Sequence, residues 1–189
     1  MVKIPEDALG SPEFTEQRTQ FLHDYAALLM LWAEFELAIE FKISKLTGMN
    51  PKDASIVIGG LSFGCKPSIL YSLLDQRGDQ EIAPKVRAVI DHARRNALVH
   101  GSPASVEDEG RFVFFKREVN SAYVVKHLDF TAETFNAHWM KFRTLETEAL
   151  AAMDISDEDL EEYARAAGLF EPTPPRPQGR PRGEANGDR

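Results

Sequence analysis

The stretch Ala93-Arg94-Arg95-Asn96-Ala97-Leu98-Val99-His100-Gly101 decides how this chain is read. Behind it, Ile82, Val86, Val89 and Ile90 recur at helical spacing, and Ala93, Ala97 and Leu98 continue the pattern. Gly101 stands where a helix commonly turns left-handed and stops. The spacing therefore predicts one helix over about residues 80–99. Its last turn carries Arg94, Arg95, Asn96 and His100. Asn96 and His100 are four apart and share a face. Arg95 lies five before His100, about 140° round an ideal helix, so one helix does not aim both at one atom. A second helix beside it is expected to complete the set. Cations in a last turn also suit the negative end of the helix dipole with no chemistry attached, and that competing reading stands beside the functional one.

N-terminal to this helix, Ser11-Pro12-Glu13 is a helix start, with Ser as the cap, Pro in the first turn and an acid after it. A long helix is predicted from there to about Leu46. Phe14, Phe21, Tyr25, Leu28, Leu29, Trp32, Phe35, Ile39, Ile43 and Leu46 form its stripe, and Gly48 its stop. Leu31, Leu37 and Phe41 fall outside the stripe, so the helix is expected to bury a second face, against a partner subunit. Asn50-Pro51 restarts the chain as a short helix through Ile58. Gly59-Gly60-Leu61-Ser62-Phe63-Gly64 is a flexible break, and the following Lys66-Pro67 does not make a phosphate-binding P-loop. A further helix is expected over Pro67–Gln76, stopped at Gly78.

C-terminal to Gly101 the pattern changes. Residues 103–110 read as a polar loop. Phe112-Val113-Phe114-Phe115 and Tyr123-Val124-Val125, joined through Asn120-Ser121, read as a β-hairpin at about residues 111–128, placed over the end of the bundle. Thr131 caps another long helix, about Ala132–Met153, and Ser156 caps an acidic one that Gly168 ends. Residues 1–10 form a loose lead. Residues 171–189, rich in Pro, Arg and Gly, carry no apolar periodicity and read as a disordered tail. The folded domain is thus expected over residues 11–170.

The net charge of −8 argues against a protein that coats nucleic acid non-specifically, yet Lys85, Arg87, Arg94 and Arg95 concentrate positive charge on one helix. Lys116, Arg117 and Lys126 would add to it from the hairpin if they face inward, although such residues are more often simply solvated. The lone Cys65 excludes an intrachain disulfide and a Cys-rich metal site, and is expected to be buried. His23, His92, His127 and His138 show no metal-ligand spacing. No apolar run is long enough for a bilayer, and the first residues have acid and proline where a secretory signal has its apolar core. Both predict a cytoplasmic protein.

Arg95-Asn96-Ala97-Leu98-Val99-His100 reads as Arg, a polar residue, three variable residues and His. This resembles the signature of HEPN-domain ribonucleases, and the resemblance covers roughly residues 14–153. It implies a mainly α fold, a HEPN-like bundle of four to five helices with the small hairpin following the motif helix. It implies a metal-independent endoribonuclease, toxin- or defence-related, that leaves 2′,3′-cyclic phosphate and 5′-hydroxyl ends and needs no cofactor. Arg95, Asn96 and His100 would be the catalytic set, with Arg94, Arg87 and Lys116 contacting RNA. His is the side chain suited to proton transfer near neutral pH, and Arg to clamping phosphate. Glu34 and Glu36 of the long helix could reach the cleft to orient an Arg, but solvated or structural roles are the favoured reading for them. Family members commonly pair two motifs in a homodimer, and an inhibitory protein partner would hold such an enzyme in check. The regulatory Tyr that one subclass places two residues after the His is Ser102 here, which argues against that regulation. The alternative is a non-catalytic HEPN dimer that binds a nucleotide, RNA or a protein partner.

Overall fold

Asn50, Thr131 and Ser156 each cap a helix through a side-chain oxygen, as their residue types suggest. A computed structural model describes residues 12–106, 110–120 and 122–170. The lead over residues 1–10 and the tail over 171–189 lie outside the described residues. The chain is mainly helical with a small antiparallel sheet. The helices are α1 (Pro12–Thr47), α2 (Pro51–Val57), α3 (Cys65–Arg77), α4 (Ile82–Ala93), α5 (Arg95–His100), α6 (Ala132–Met153) and α7 (Asp157–Ala166). The strands β1 (Ser102–Val106), β2 (Arg111–Asn120) and β3 (Ala122–Phe130) lie in the order β1-β2-β3. No helix of the described residues is long and apolar enough to cross a membrane.

The long helix α1 is the spine. Its Phe21, Leu28, Trp32, Phe35, Ile39 and Ile43 are all buried. The helix α6 lies parallel to it. Asn136 Nδ2 donates to the buried Asp24 Oδ2 at 2.9 Å near one end, and Lys42 Nζ donates to the Met153 carbonyl at 2.7 Å near the other. The helix α4 runs antiparallel to α6, with Lys85 against Glu148 and His92 against His138. A buried Lys66 fastens the start of α3 to α1, donating to Glu36 Oε1 at 2.7 Å and Glu40 Oε1 at 2.5 Å. Two carboxylates around one ammonium supply the charge that makes its burial tolerable. Glu36 is therefore committed to Lys66 rather than to an arginine of the motif. The second apolar face of α1 is largely covered within the chain. Leu31, Leu37 and Phe41 pack against the core, and Phe41 meets Tyr163 of α7 at 5.1 Å between rings.

Four expectations are corrected. The run read as a polar loop contains most of β1, whose residues 102–106 pair with 111–115 of β2. Pro103 lies in this edge strand, where a missing N–H is tolerated, and the ladder offered by β2 outweighs weak local propensity. The hairpin thus becomes a three-stranded sheet that reaches Phe130. Its Phe112 and Phe114 face the core, and the Phe112 ring stacks on Phe21 at 4.0 Å. Cys65 is exposed at the start of α3, within 3.3 Å of Ser62 Oγ. The third correction is the predicted helix over residues 80–99. It is broken at Arg94, which takes a left-handed conformation (φ 50°, ψ 26°), so α4 and α5 are separate. The fourth is Gly101, which is extended (φ −77°, ψ 153°) and leads straight into β1.

Candidate functional site

The break at Arg94 places the motif. The Arg94 carbonyl accepts from the N–H groups of Ala97 (2.9 Å) and Leu98 (3.1 Å), which starts α5 on a new axis. Leu98 is fully buried and anchors the short helix, and the Tyr25 hydroxyl of α1 donates to the Leu98 carbonyl at 2.8 Å. The far end is closed by Gly101. A Cβ there would lie 2.1 Å from the Ala97 carbonyl oxygen and 3.3 Å from Phe114 Cβ. The glycine is thus needed for close approach, not for handedness.

On this short helix Arg95 and His100 meet. Arg95 Nη1 lies 3.0 Å from His100 Nε2. The expected separation round the helix describes Cα positions, and the arginine side chain is long enough to reach over it. No second helix is needed to bring the two together. A guanidinium only donates, so in this pair Nε2 accepts and the imidazole carries its proton on Nδ1. His100 is exposed and Arg95 half-buried. The Arg95 guanidinium also stands over the Phe63 ring, 5.9 Å from its centroid. Its Nε is buried and meets no acceptor among the described residues.

Arg95 forms part of the wall of a cleft of about 750 Å³. Arg87, Arg94 and Asn96 line the same cleft, so four residues predicted from sequence are gathered there. Arg87 lies over the Tyr71 ring at 5.4 Å. Burial pushes the Tyr71 hydroxyl pKa up, with Asp91 adding to the shift and Arg87 opposing it. Asn96 is exposed in the cleft wall, and the hydrogen bond to the imidazole comes from Arg95. Lys116 lies in β2, but its side chain, like those of Arg117 and Lys126, lies outside the described residues.

Sequence reasoning missed the aromatic half of the wall. Trp32, Phe63, Tyr71, Phe114 and His127 line it, together with Asp91. Trp32 belongs to the apolar stripe of α1, and nothing in that periodicity separates a core tryptophan from one at a cleft wall. Phe63 was legible only as an apolar residue in a glycine-rich break. The Trp32 ring meets Phe63 at 4.6 Å, edge to face.

Behind the cleft, His138 stacks on His92 at 4.4 Å, and the two rings belong to α6 and α4. Burial lowers the His138 pKa to about 4. The neighbouring His92 and Arg94 push the same way, while the Ala93 carbonyl opposes them. His138 is thus a neutral ring packed under the break. Among the described residues, no group of three or more His, Cys, Asp or Glu side chains is placed to hold a metal ion.

Comparison with protein-family models, with curated proteins and with solved structures finds no match to this chain.

Proposed function

We propose that the protein is an endoribonuclease of HEPN type, with His100 as the proton-transfer residue and Arg95 as the phosphate clamp. The observation that carries this reading is the 3.0 Å pair between Arg95 Nη1 and His100 Nε2 beside an arginine-walled cleft. In RNA the nucleophile is the ribose 2′-hydroxyl. Its proton needs a base, and the phosphate gains negative charge as the new bond forms. In the resting pair the basic nitrogen of His100 is held by Arg95. A phosphate entering the cleft competes for the guanidinium, since a charged acceptor makes the stronger hydrogen bond. Arg95 then turns to the phosphate, and His100 Nε2 is released to take the 2′-hydroxyl proton. Attack on phosphorus expels the 5′-oxygen, which needs a proton to leave, and the products are a 2′,3′-cyclic phosphate and a 5′-hydroxyl.

A homodimer is part of this reading. It would set two such pairs in one cleft, so that one His100 accepts a proton while the other donates. An inhibitory protein partner would act by covering the cleft mouth.

The test is incubation of the protein with transfer RNA and total RNA in EDTA, followed by end-group analysis. His100→Ala is expected to reduce cleavage on the order of 10²- to 10⁴-fold while RNA still binds. Arg95→Ala should damage both binding and rate, and Arg95→Lys should restore only part, because Lys keeps the charge and loses the fork. Cleavage by His100→Ala at the wild-type rate ends the nuclease assignment at this site. The non-catalytic binding module then takes its place.

A further inference from the structure

Two buried hydrogen-bond donors in the cleft wall have no acceptor among the described residues: the indole Nε1 of Trp32 and Nε of Arg95. Trp32 is 4% exposed. A buried donor left unsatisfied costs about 1–3 kcal/mol, so two in one wall are a sizeable local penalty. Both belong to residues that contact the same ring. Phe63 lies 4.6 Å from the Trp32 ring and 5.9 Å from the Arg95 guanidinium carbon. Phe63 itself is half-buried and sits in the loop before α3, next to Gly64 and three residues after Gly60. A Cβ at Gly64 would meet nothing within 4 Å, so the backbone beside Phe63 has open space around it.

We propose that Phe63 is a stand-in for an unpaired nucleobase, and that a nucleotide of single-stranded RNA displaces this ring to accept hydrogen bonds from Trp32 and Arg95. The proposal deepens the RNA reading of the site and rests on it. The chemistry asked of the ligand is narrow. It is flat, because it replaces an aromatic ring between an indole and a guanidinium. It carries acceptors on its edge, because the two waiting groups are donors. It carries an anion, because Arg87 and Arg94 line the same cleft. A nucleobase with its phosphate meets all three conditions, and a base in a duplex does not, because its edge is already paired and its faces stacked. The cleft volume lies in the range of small-ligand pockets. Asp91 in the same wall supplies an acceptor for an amino or imino group of the base. Stacking of a base on aromatic side chains is tolerant of sequence, so the expected preference is for single strands.

The test uses binding, not cleavage. In a Trp139→Phe background the remaining tryptophan, Trp32, reports on the cleft. Uridine and guanosine 5′-monophosphates are titrated against inorganic phosphate and ribose 5-phosphate. A saturable change in Trp32 emission is expected with the nucleotides and not with the two base-free anions. By calorimetry, Trp32→Phe should bind the nucleotides about five- to tenfold more weakly, the effect of one lost hydrogen bond. Phe63→Ala should bind them several-fold more tightly, because no ring needs to be displaced. An equal response to inorganic phosphate would reduce the site to an anion site and overturn the proposal. So would weaker binding by Phe63→Ala, which would make that ring a platform and not a stand-in. Nucleotide binding without RNA cleavage supports the base site and removes the nuclease reading. Cleavage without nucleotide binding does the reverse.

Discussion

Arg94 and Asp154 are the non-glycine residues with left-handed backbone among those described, and they behave differently. Asp154 ends α6. Its N–H donates to the carbonyls of Ala151 and Leu150, and the next N–H, of Ile155, donates to Leu150 at 3.1 Å. A short polar side chain tolerates this conformation, and the bonds complete an ordinary helix stop. Arg94 gains no comparable closure of α4. Its carbonyl is spent on starting α5. A long side chain in a left-handed backbone, between two helices that sequence periodicity would have joined, is local strain of about 1–2 kcal/mol. The surroundings differ as well. Arg94 lies among Arg87 and Arg95, and Asp154 lies near the acidic start of α7. One bend terminates an element, and the other turns Arg95 and Asn96 into a cleft.

The largest effect is expected from Gly101→Ala, which attacks the far side of the Arg94 bend. The new methyl has to displace the Ala97 carbonyl and also crowds the Phe114 side chain, at a cost of about 1–3 kcal/mol. Chemical denaturation should show that loss, and RNA cleavage should fall with it. A variant as stable and as active as the parent would mean that the α5 end relaxes freely.

A contrast of about 2 kcal/mol concerns two ionisable groups in the two halves of α6, the buried Glu146 and the part-buried His138. Near Asp154, burial raises the Glu146 pKa to about 7, with Glu34 and Asp157 adding to the shift and Arg143 opposing it. Its stabilising contribution is complete below its ordinary value of 4.5 and is lost as pH rises to about 7. Under Arg94, the lowered His138 acts in the opposite sense. Its contribution is complete above 6.5 and is lost as pH falls to about 4. Stability measured against pH should therefore fall toward acid in Glu146→Gln and fall toward neutrality in His138→Asn. Identical profiles in the two variants would contradict the burial assigned to one of them.

A change of about 1 kcal/mol separates the two bends directly. Arg94→Gly should raise stability by about that amount, since glycine adopts this backbone without penalty, and it should weaken RNA binding by removing a cleft charge. Asp154→Gly should gain only about a few tenths of a kcal/mol, with RNA binding unchanged. If both variants gain equally and neither loses RNA affinity, the Arg94 strain serves no site. Tyr25→Phe is the smallest probe. Loss of the bond to the Leu98 carbonyl should cost about 1 kcal/mol or less, measurable as a lower urea midpoint.

Much of the architecture was legible residue by residue. The stripe of α1, the Thr131 and Ser156 caps and the stops at Gly48, Gly78 and Gly168 are local signals, and each stands where sequence placed it. So is the motif itself: the types and spacing of Arg95, Asn96 and His100 mark candidate chemistry without any fold. The amino-acid sequence by itself determined a helical framework and the helix-end region where charge collects, because periodicity and capping act within a few residues. Only the tertiary structure decided the rest. Residues 80–99 read as one helix because no glycine or proline stands at Arg94, and the break there is a product of packing, with Leu98 drawn into the core and held by Tyr25. Residues 103–106 joined a sheet because β2 offered a ladder, which no property of Pro103 or Ser105 announces. The aromatic wall of the cleft, with Trp32 from one helix and Phe63 from a loop, exists only once distant segments are packed together. Local propensity is short-ranged, and a cleft is made of contacts between residues that are remote in the chain.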